Sequence, residues 1–173
     1  MERKHIVRAR QTFAAPWGLS LKLLTALSVG ILLSVPLIGL YSGPRHLFLW
    51  TSSMVLLPLL VLVGAAFFVI RGYTVSGQTL RIHRLGWDST LDLQQLRSAT
   101  VDPEAMRRSL RTFGNGGLFC FAGRFRSQKL GPYRAFATDP KRAVVLTFAD
   151  RTVVVTPDDP AAFVAQLQAI RVM

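Results

Sequence analysis

The sequence predicts a two-helix membrane hairpin followed by a mainly-β domain that a C-terminal helix closes, and three observations carry that reading. Two long runs are almost free of charge: residues 17–41 contain only Lys22, and residues 47–70 contain none. Beyond Arg71 the pattern turns into short alternating segments separated by turn residues, as antiparallel strands require. Half of the 173 residues are hydrophobic while the net charge is +12, and these two facts agree only if apolar and basic residues occupy different segments.

The first sixteen residues form a basic tail in which Arg3, Lys4, Arg8 and Arg10 face only Glu2. Each apolar run that follows is long enough, as a helix, to cross roughly 30 Å of hydrocarbon. A cleavable signal peptide also begins with basic residues, but this apolar run exceeds a signal core, "GLYSGPRH" offers no A-x-A site, and a second run follows almost at once. Pro36 and Pro58 fall inside the two spans, where membrane helices tolerate them. The connection from Ser42 to His46 is short enough to make the spans antiparallel, so both chain ends lie on one side. The basic tail and Arg71 outweigh Arg45 in the loop, which puts that side in the cytoplasm. A lone Cys120 suits a reducing compartment.

Residues 71–173 read as a separate cytoplasmic unit. "YTVSGQTLRIHRL" is strand, turn at Ser76 and Gly77, strand; "WDSTLDL", "LRSATV", "GLFCFAG", "YRAFAT", "RAVVLTFA" and "TVVVTP" bring the total to about seven strands. Between Thr100 and Gly117 the alternation lapses, and a helical turn or irregular loop is expected. In "FADRTV", Arg151 stands where a two-residue hairpin favours glycine, so a longer turn or one of another type is expected. Asp159 before Pro160 marks a helix start, and Phe163, Leu167 and Ile170 form one apolar stripe that should close an open end of the sheets.

The stretch from "GGLF" through "LGPYRAFAT" to "VVVTPDDPAAFV" resembles the bacterial PH-domain families, in which such a domain follows two membrane spans; the likeness covers roughly residues 71–170. The resemblance implies a PH-like domain of two near-orthogonal antiparallel sheets capped by the final helix, in a bacterial inner membrane. The basic signature with which some eukaryotic PH domains hold inositol phosphates is represented only by Arg81 and Arg84.

Between Pro103 and Pro140 the charge is one-sided: Arg107, Arg108, Arg111, Arg124, Arg126, Lys129 and Arg134 stand against Glu104 and Asp139. On a domain tethered to the inner leaflet, such a face is expected to engage anionic lipid headgroups or an acidic protein partner, each cation contributing on the order of 1 kcal/mol. A structural subunit is the competing expectation, with Gly30, Gly39, Gly64 and Ala65 as small contact residues packing the hairpin against another membrane protein. Nucleic acid is disfavoured, because Phe119, Phe121, Phe125 and Phe136 fall at spacings that suit core positions. The glycine cluster Gly114–Gly117 lacks the Lys-Ser/Thr pair of a phosphate loop and reads as a turn. With three separated histidines, one cysteine and no catalytic motif, neither an enzyme nor a bound metal or cofactor is expected.

Overall fold

The structure, a computed structural model, describes residues 10–42 and 48–171. Residues 43–46 of the helix connection and the tail residues Arg3, Lys4 and Arg8 therefore lie outside the described residues.

Among the described residues, three α-helices and ten strands follow one another in the order β1 (Gln11–Ala14), α1 (Leu19–Ser42), α2 (Phe48–Ala66), β2 (Ile70–Ser76), β3 (Thr79–Arg84), β4 (Asp88–Asp92), β5 (Leu96–Val101), β6 (Leu110–Gly116), β7 (Phe121–Ser127), β8 (Gly131–Ala137), β9 (Val144–Phe148), β10 (Thr152–Val155) and α3 (Pro160–Arg171). The strands form a four-stranded sheet in the order β1-β2-β3-β4 and a six-stranded sheet in the order β5-β9-β10-β8-β7-β6. All neighbours are antiparallel except β10 and β8, which pair in parallel with Val154 opposite Ala135.

β10, in the middle of the second sheet, is buried on both faces, which explains why it reads "TVVV" without alternation. Val153 and Val155 join Tyr73, Leu80, Ile82, Phe136 and Leu146 in a core shared with the first sheet and α3. Val154 points the other way, into a second cluster with Phe121, Phe125, Tyr133 and Leu21. α3 starts as its sequence dictates: the Asp159 carboxylate accepts from the Ala162 amide at 2.9 Å, and Phe163 and Leu167 are buried beneath it. A mainly-β domain of two sheets with a C-terminal helix is thus the fold, with more strands than the sequence predicts.

The extra strands come from segments read as irregular. Residues 11–14 of the supposed tail are β1, with Phe13 paired to Tyr73 and its ring edge-on to Phe163 at 5.1 Å. Residues 110–116 of the supposed loop are β6, an edge strand whose outward-facing residues carry no alternating apolar signal. The Ser76–Gly77 turn moves by one residue to Gly77–Gln78, since Ser76 pairs with Thr79. The β9–β10 turn is not lengthened: it is the tight Ala149–Asp150 pair, and Arg151 lies outside it as the closing residue, its carbonyl accepting from the Phe148 amide at 2.8 Å.

Among the described residues one helix, Leu19–Tyr41, is long and apolar enough to cross a membrane; the apolar segment Ser52–Ala66 of α2 is shorter than such a span. The expected second span of residues 47–70 ends early because Ile70 begins β2 and is buried in the domain core. Along both helices leucines face outward on every side, among them Leu23, Leu27, Leu37, Leu57 and Leu60. An all-round apolar helix needs an apolar surrounding, protein or lipid.

Candidate functional site

α1 is fastened to the β domain before it leaves it. Gly18 donates to the Thr138 carbonyl at 3.1 Å, Leu21 is fully buried in the second cluster, and Trp17 lies against Phe119. Thr25 then closes the joint: its Oγ1 donates to the Gly117 carbonyl at 3.0 Å and accepts from the Phe119 amide at 3.0 Å. Gly117 permits this approach, since a Cβ there would lie 3.0 Å from a Leu24 methyl and the backbone has a φ of +132°.

The same contacts decide what the glycine cluster is. Gly114 and Gly116 belong to β6, and the Gly117–Cys120 turn joins β6 to β7. Its amides are engaged: Leu118 donates to Asn115 Oδ1, Gly117 to the Cys120 carbonyl, and Phe119 to Thr25. No row of free N–H groups is left to cradle a phosphate, so positive φ serves the turn and the helix dock.

The seven basic residues singled out in the sequence are all exposed, but they do not share one face. Arg107 and Arg108 sit on the turns between β5 and β6, where Arg107 pairs with Glu104 at 2.8 Å. Lys129, in the β7–β8 turn, pairs with Asp102. Arg111 is opposite Phe125 and so lies on the side of the second cluster, its Nη1 donating to the Gly114 carbonyl at 3.1 Å. Arg124 and Arg126 alternate with Phe125 and project from the opposite side, where Arg134 stands directly across from Arg124.

On that side an open cleft of about 520 Å³ is lined by Arg84, Arg124 and Arg134 with Phe68, Phe113 and Phe136. Its floor includes Gly114 opposite Gly123, where β6 and β7 come so close that a Cβ on Gly123 would fall 2.2 Å from the Phe113 carbonyl oxygen. Arg84, at the end of β3, is only 8 % exposed. Its guanidinium lies 5.5 Å from the Phe68 ring centre, 5.7 Å from Trp87 and 5.3 Å from Phe136, while Arg134 covers Phe136 at 4.8 Å. Yet the Arg84 Nε and Nη1 are shielded from water with no hydrogen-bond partner, and none of the three arginines has a carboxylate within ion-pair distance among the described residues. Burial pulls the Arg84 pKa down, with the Arg134 charge adding to the effect against the opposing influence of Cys120.

Sequence reasoning noted Arg84 as part of a first hairpin but not as a cleft residue. Its outward look in "LRIHRL" is misleading, because alternation places Arg84 with Leu80 and Ile82 on the inward face. That offset was readable; the aromatic walls contributed by Phe68 and Phe136, which come from distant segments, were not.

Two other groups are structural in their setting. Cys120 is fully buried, and burial raises its thiol pKa to about 11. Asp88, His83 and Thr74 are linked as Oδ1 to Nδ1 at 2.9 Å and Nε2 to Oγ1 at 2.7 Å, an order reminiscent of an acid, a base and a nucleophile. Thr74 is 1 % exposed in mid-strand and also bonds Thr12, so the chain ties β1 through β4 together and leaves a substrate no approach to the hydroxyl.

Compared with known proteins, residues 71–170 match the family model described as the bacterial PH domain. No curated protein and no solved structure matches the chain. The matched segment begins at Arg71, so β1 and the docked start of α1 lie outside it.

Proposed function

The chain belongs to the bacterial PH-domain family, and from that premise we propose that it is a non-catalytic binding module anchored by its apolar helices at the cytoplasmic face of the bacterial membrane, where its basic surface engages anionic lipid headgroups. The observation that carries the reading is the way both helices meet the domain beside the second sheet, close to the arginine cleft. α1 leaves the domain at the β6–β7 turn through Thr25, and α2 arrives at Phe68, a wall of the cleft, two residues beyond its last turn. A bilayer around the helices would bring its headgroups first to Arg124 and Arg134 at the cleft, and a domain resting flat on the surface would bring Arg126 and the β5–β6 turns down with them. Leu85 and Trp87, exposed on the turn beside Phe68, suit such an interface.

The helix dock leaves residues 26–42 of α1 free of the domain, about 26 Å at 1.5 Å per residue, close to a hydrocarbon thickness with slight thinning or headgroup contact. The reading is tested with the full chain in nanodiscs that mix phosphatidylcholine and phosphatidylglycerol. Native mass spectrometry should find the anionic lipid enriched on the protein, and Arg107→Glu, Arg108→Glu and Arg126→Glu together should remove most of the enrichment. Equal retention of both lipids by the wild type would sink the reading and turn attention to an acidic protein partner.

The structural-subunit reading keeps one specific support. Gly39 is occupied within the hairpin, where a Cβ would come 3.0 Å from Met54, but Gly30 and Gly64 have nothing within 4 Å and could admit another helix. Crosslinking that depends on Gly64 and not on the arginines would favour it.

A further inference from the structure

We propose that the Arg84–Arg124–Arg134 cleft is a binding site for one phosphate group, presented by a phospholipid headgroup or by a free phosphate compound. The inference rests on the membrane-surface reading for its lipid source, and on the cleft's own chemistry for the ligand class. Three guanidinium groups converge on one cavity, and two of them, Arg124 and Arg134, occupy directly opposed strand positions where like charges repel. The third, Arg84, is nearly buried, its Nε and Nη1 make no hydrogen bond, and no carboxylate lies within ion-pair distance of it among the described residues.

Three aromatic rings around a guanidinium return part of what burial costs, but a ring face accepts no N–H hydrogen bond of ordinary strength. A buried charge persists in proteins when it is paired, so the missing element here is an anion. Guanidinium geometry favours a planar or tetrahedral oxyanion taken by two N–H groups at once. The cavity, about 520 Å³, is larger than a lone phosphate, which leaves room for the glycerol or sugar that carries it. Phe68 and Phe113 flank the opening with apolar surface, suited to the aliphatic portion next to a headgroup. Phe68 follows directly on α2, so the mouth lies where a membrane lipid from the inner leaflet would arrive.

The test uses the full chain in phosphatidylcholine nanodiscs, titrated calorimetrically with glycerol 1-phosphate against chloride at equal ionic strength. A parallel arm replaces part of the lipid with phosphatidylglycerol and reads hydrogen exchange over β3, β7 and β8. The variants are Arg84→Met, which keeps the buried volume without the charge, and Arg124→Gln and Arg134→Gln, whose exposed side chains can change without risk to the fold. Saturable binding of glycerol 1-phosphate that weakens at least tenfold in all three variants assigns the site to soluble phosphates. Protection of β3, β7 and β8 by phosphatidylglycerol alone, lost in the same variants, assigns it to the lipid. Arg84→Met should also melt at a higher temperature than the wild type without ligand, because an unpaired buried charge has gone, and should gain nothing from added phosphate.

Unchanged responses in Arg124→Gln and Arg134→Gln in both arms overturn the proposal, whatever Arg84→Met does. If anionic lipid is still enriched and only the Arg107, Arg108 and Arg126 reversals abolish it, the cleft is wrong and the surface reading survives. If glycerol 1-phosphate binds in the cleft while anionic lipid is not enriched, the surface reading fails and the cleft stands.

Discussion

Replacing Thr25 with valine should unfasten α1 from the β domain while leaving both elements intact. The side chain keeps its shape but loses the hydroxyl that bridges the Gly117 carbonyl and the Phe119 amide, each at 3.0 Å, the first bond buried and the second part-buried. Leaving a buried acceptor and a part-buried donor unpaired costs about 1–3 kcal/mol for the first and less for the second. Phe119 has a φ of +69°, a strained conformation costing on the order of 1–3 kcal/mol that this bridge helps hold. Once the Gly117–Cys120 turn opens, water can reach the freed groups, so the effective loss should settle near the low end, about 2 kcal/mol. At roughly 1.4 kcal/mol per tenfold, that is about a 30-fold rise in the opening constant. Hydrogen exchange by mass spectrometry, on the full chain in nanodiscs, should show the rise confined to peptides covering residues 117–120. Thr25→Ser, which keeps the hydroxyl, should stay close to wild type. Exchange within about threefold of wild type in the valine variant would mean that α1 does not dock through Thr25.

Leu21→Ala removes a fully buried side chain from the second cluster and should cost about 2–5 kcal/mol, seen as a lower melting temperature of the detergent-solubilised chain. By the same reasoning a fragment beginning at Arg71, stripped of Phe13 and Leu21, should be markedly less stable than the full chain, and equal stability would show that β1 and the α1 start are dispensable. Cys120 and Tyr73 have their pKa values raised by burial to about 11 and about 12, so ionisation is favoured in the unfolded chain first and stability should fall as pH rises above about 9. Cys120→Ala should remove roughly 2 to 3 kcal/mol of that alkaline loss by pH 11, measured by urea denaturation at stepped pH, and the native thiol should resist alkylation at pH 8. Gly39→Leu should drive α1 and α2 apart at Met54 and shorten the life of a disulfide-reported hairpin, whereas Gly64→Leu, facing open space, should leave the hairpin unchanged.

Much of the architecture is legible in the chain, and the lapses have physical causes. The hairpin around Gly77, the helix capped by Asp159 and the core role of Phe121, Phe125 and Phe136 follow from alternation, turn chemistry and capping, whereas Phe119, expected in the core with them, is half-buried in the β6–β7 turn at a φ of +69°. β1 is missed because four residues after a run of arginines, ahead of a long apolar helix, give no strand pattern of their own; they become a strand only by pairing with β2, sixty residues on. β6 is missed for a related reason, since an exposed edge strand containing two glycines has nothing to bury. The candidate site shows the same division. Counting charges found Arg124 and Arg134, while only the fold reveals that Arg111 belongs to the opposite face and that Arg84, buried and unpaired, completes the group.

The most direct test of a membrane-surface module is the depth of Trp87, which stacks edge-on with Phe68 beside the arginine cleft. With Trp17 and Trp50 replaced by phenylalanine, the full chain is reconstituted into phosphatidylglycerol-containing vesicles carrying quenchers at the headgroup, at mid-chain, or in the water. Strongest quenching from the headgroup position, reduced in purely zwitterionic vesicles, is the expected result. Quenching only from the aqueous phase would place the cleft away from the bilayer and contradict the membrane-surface function.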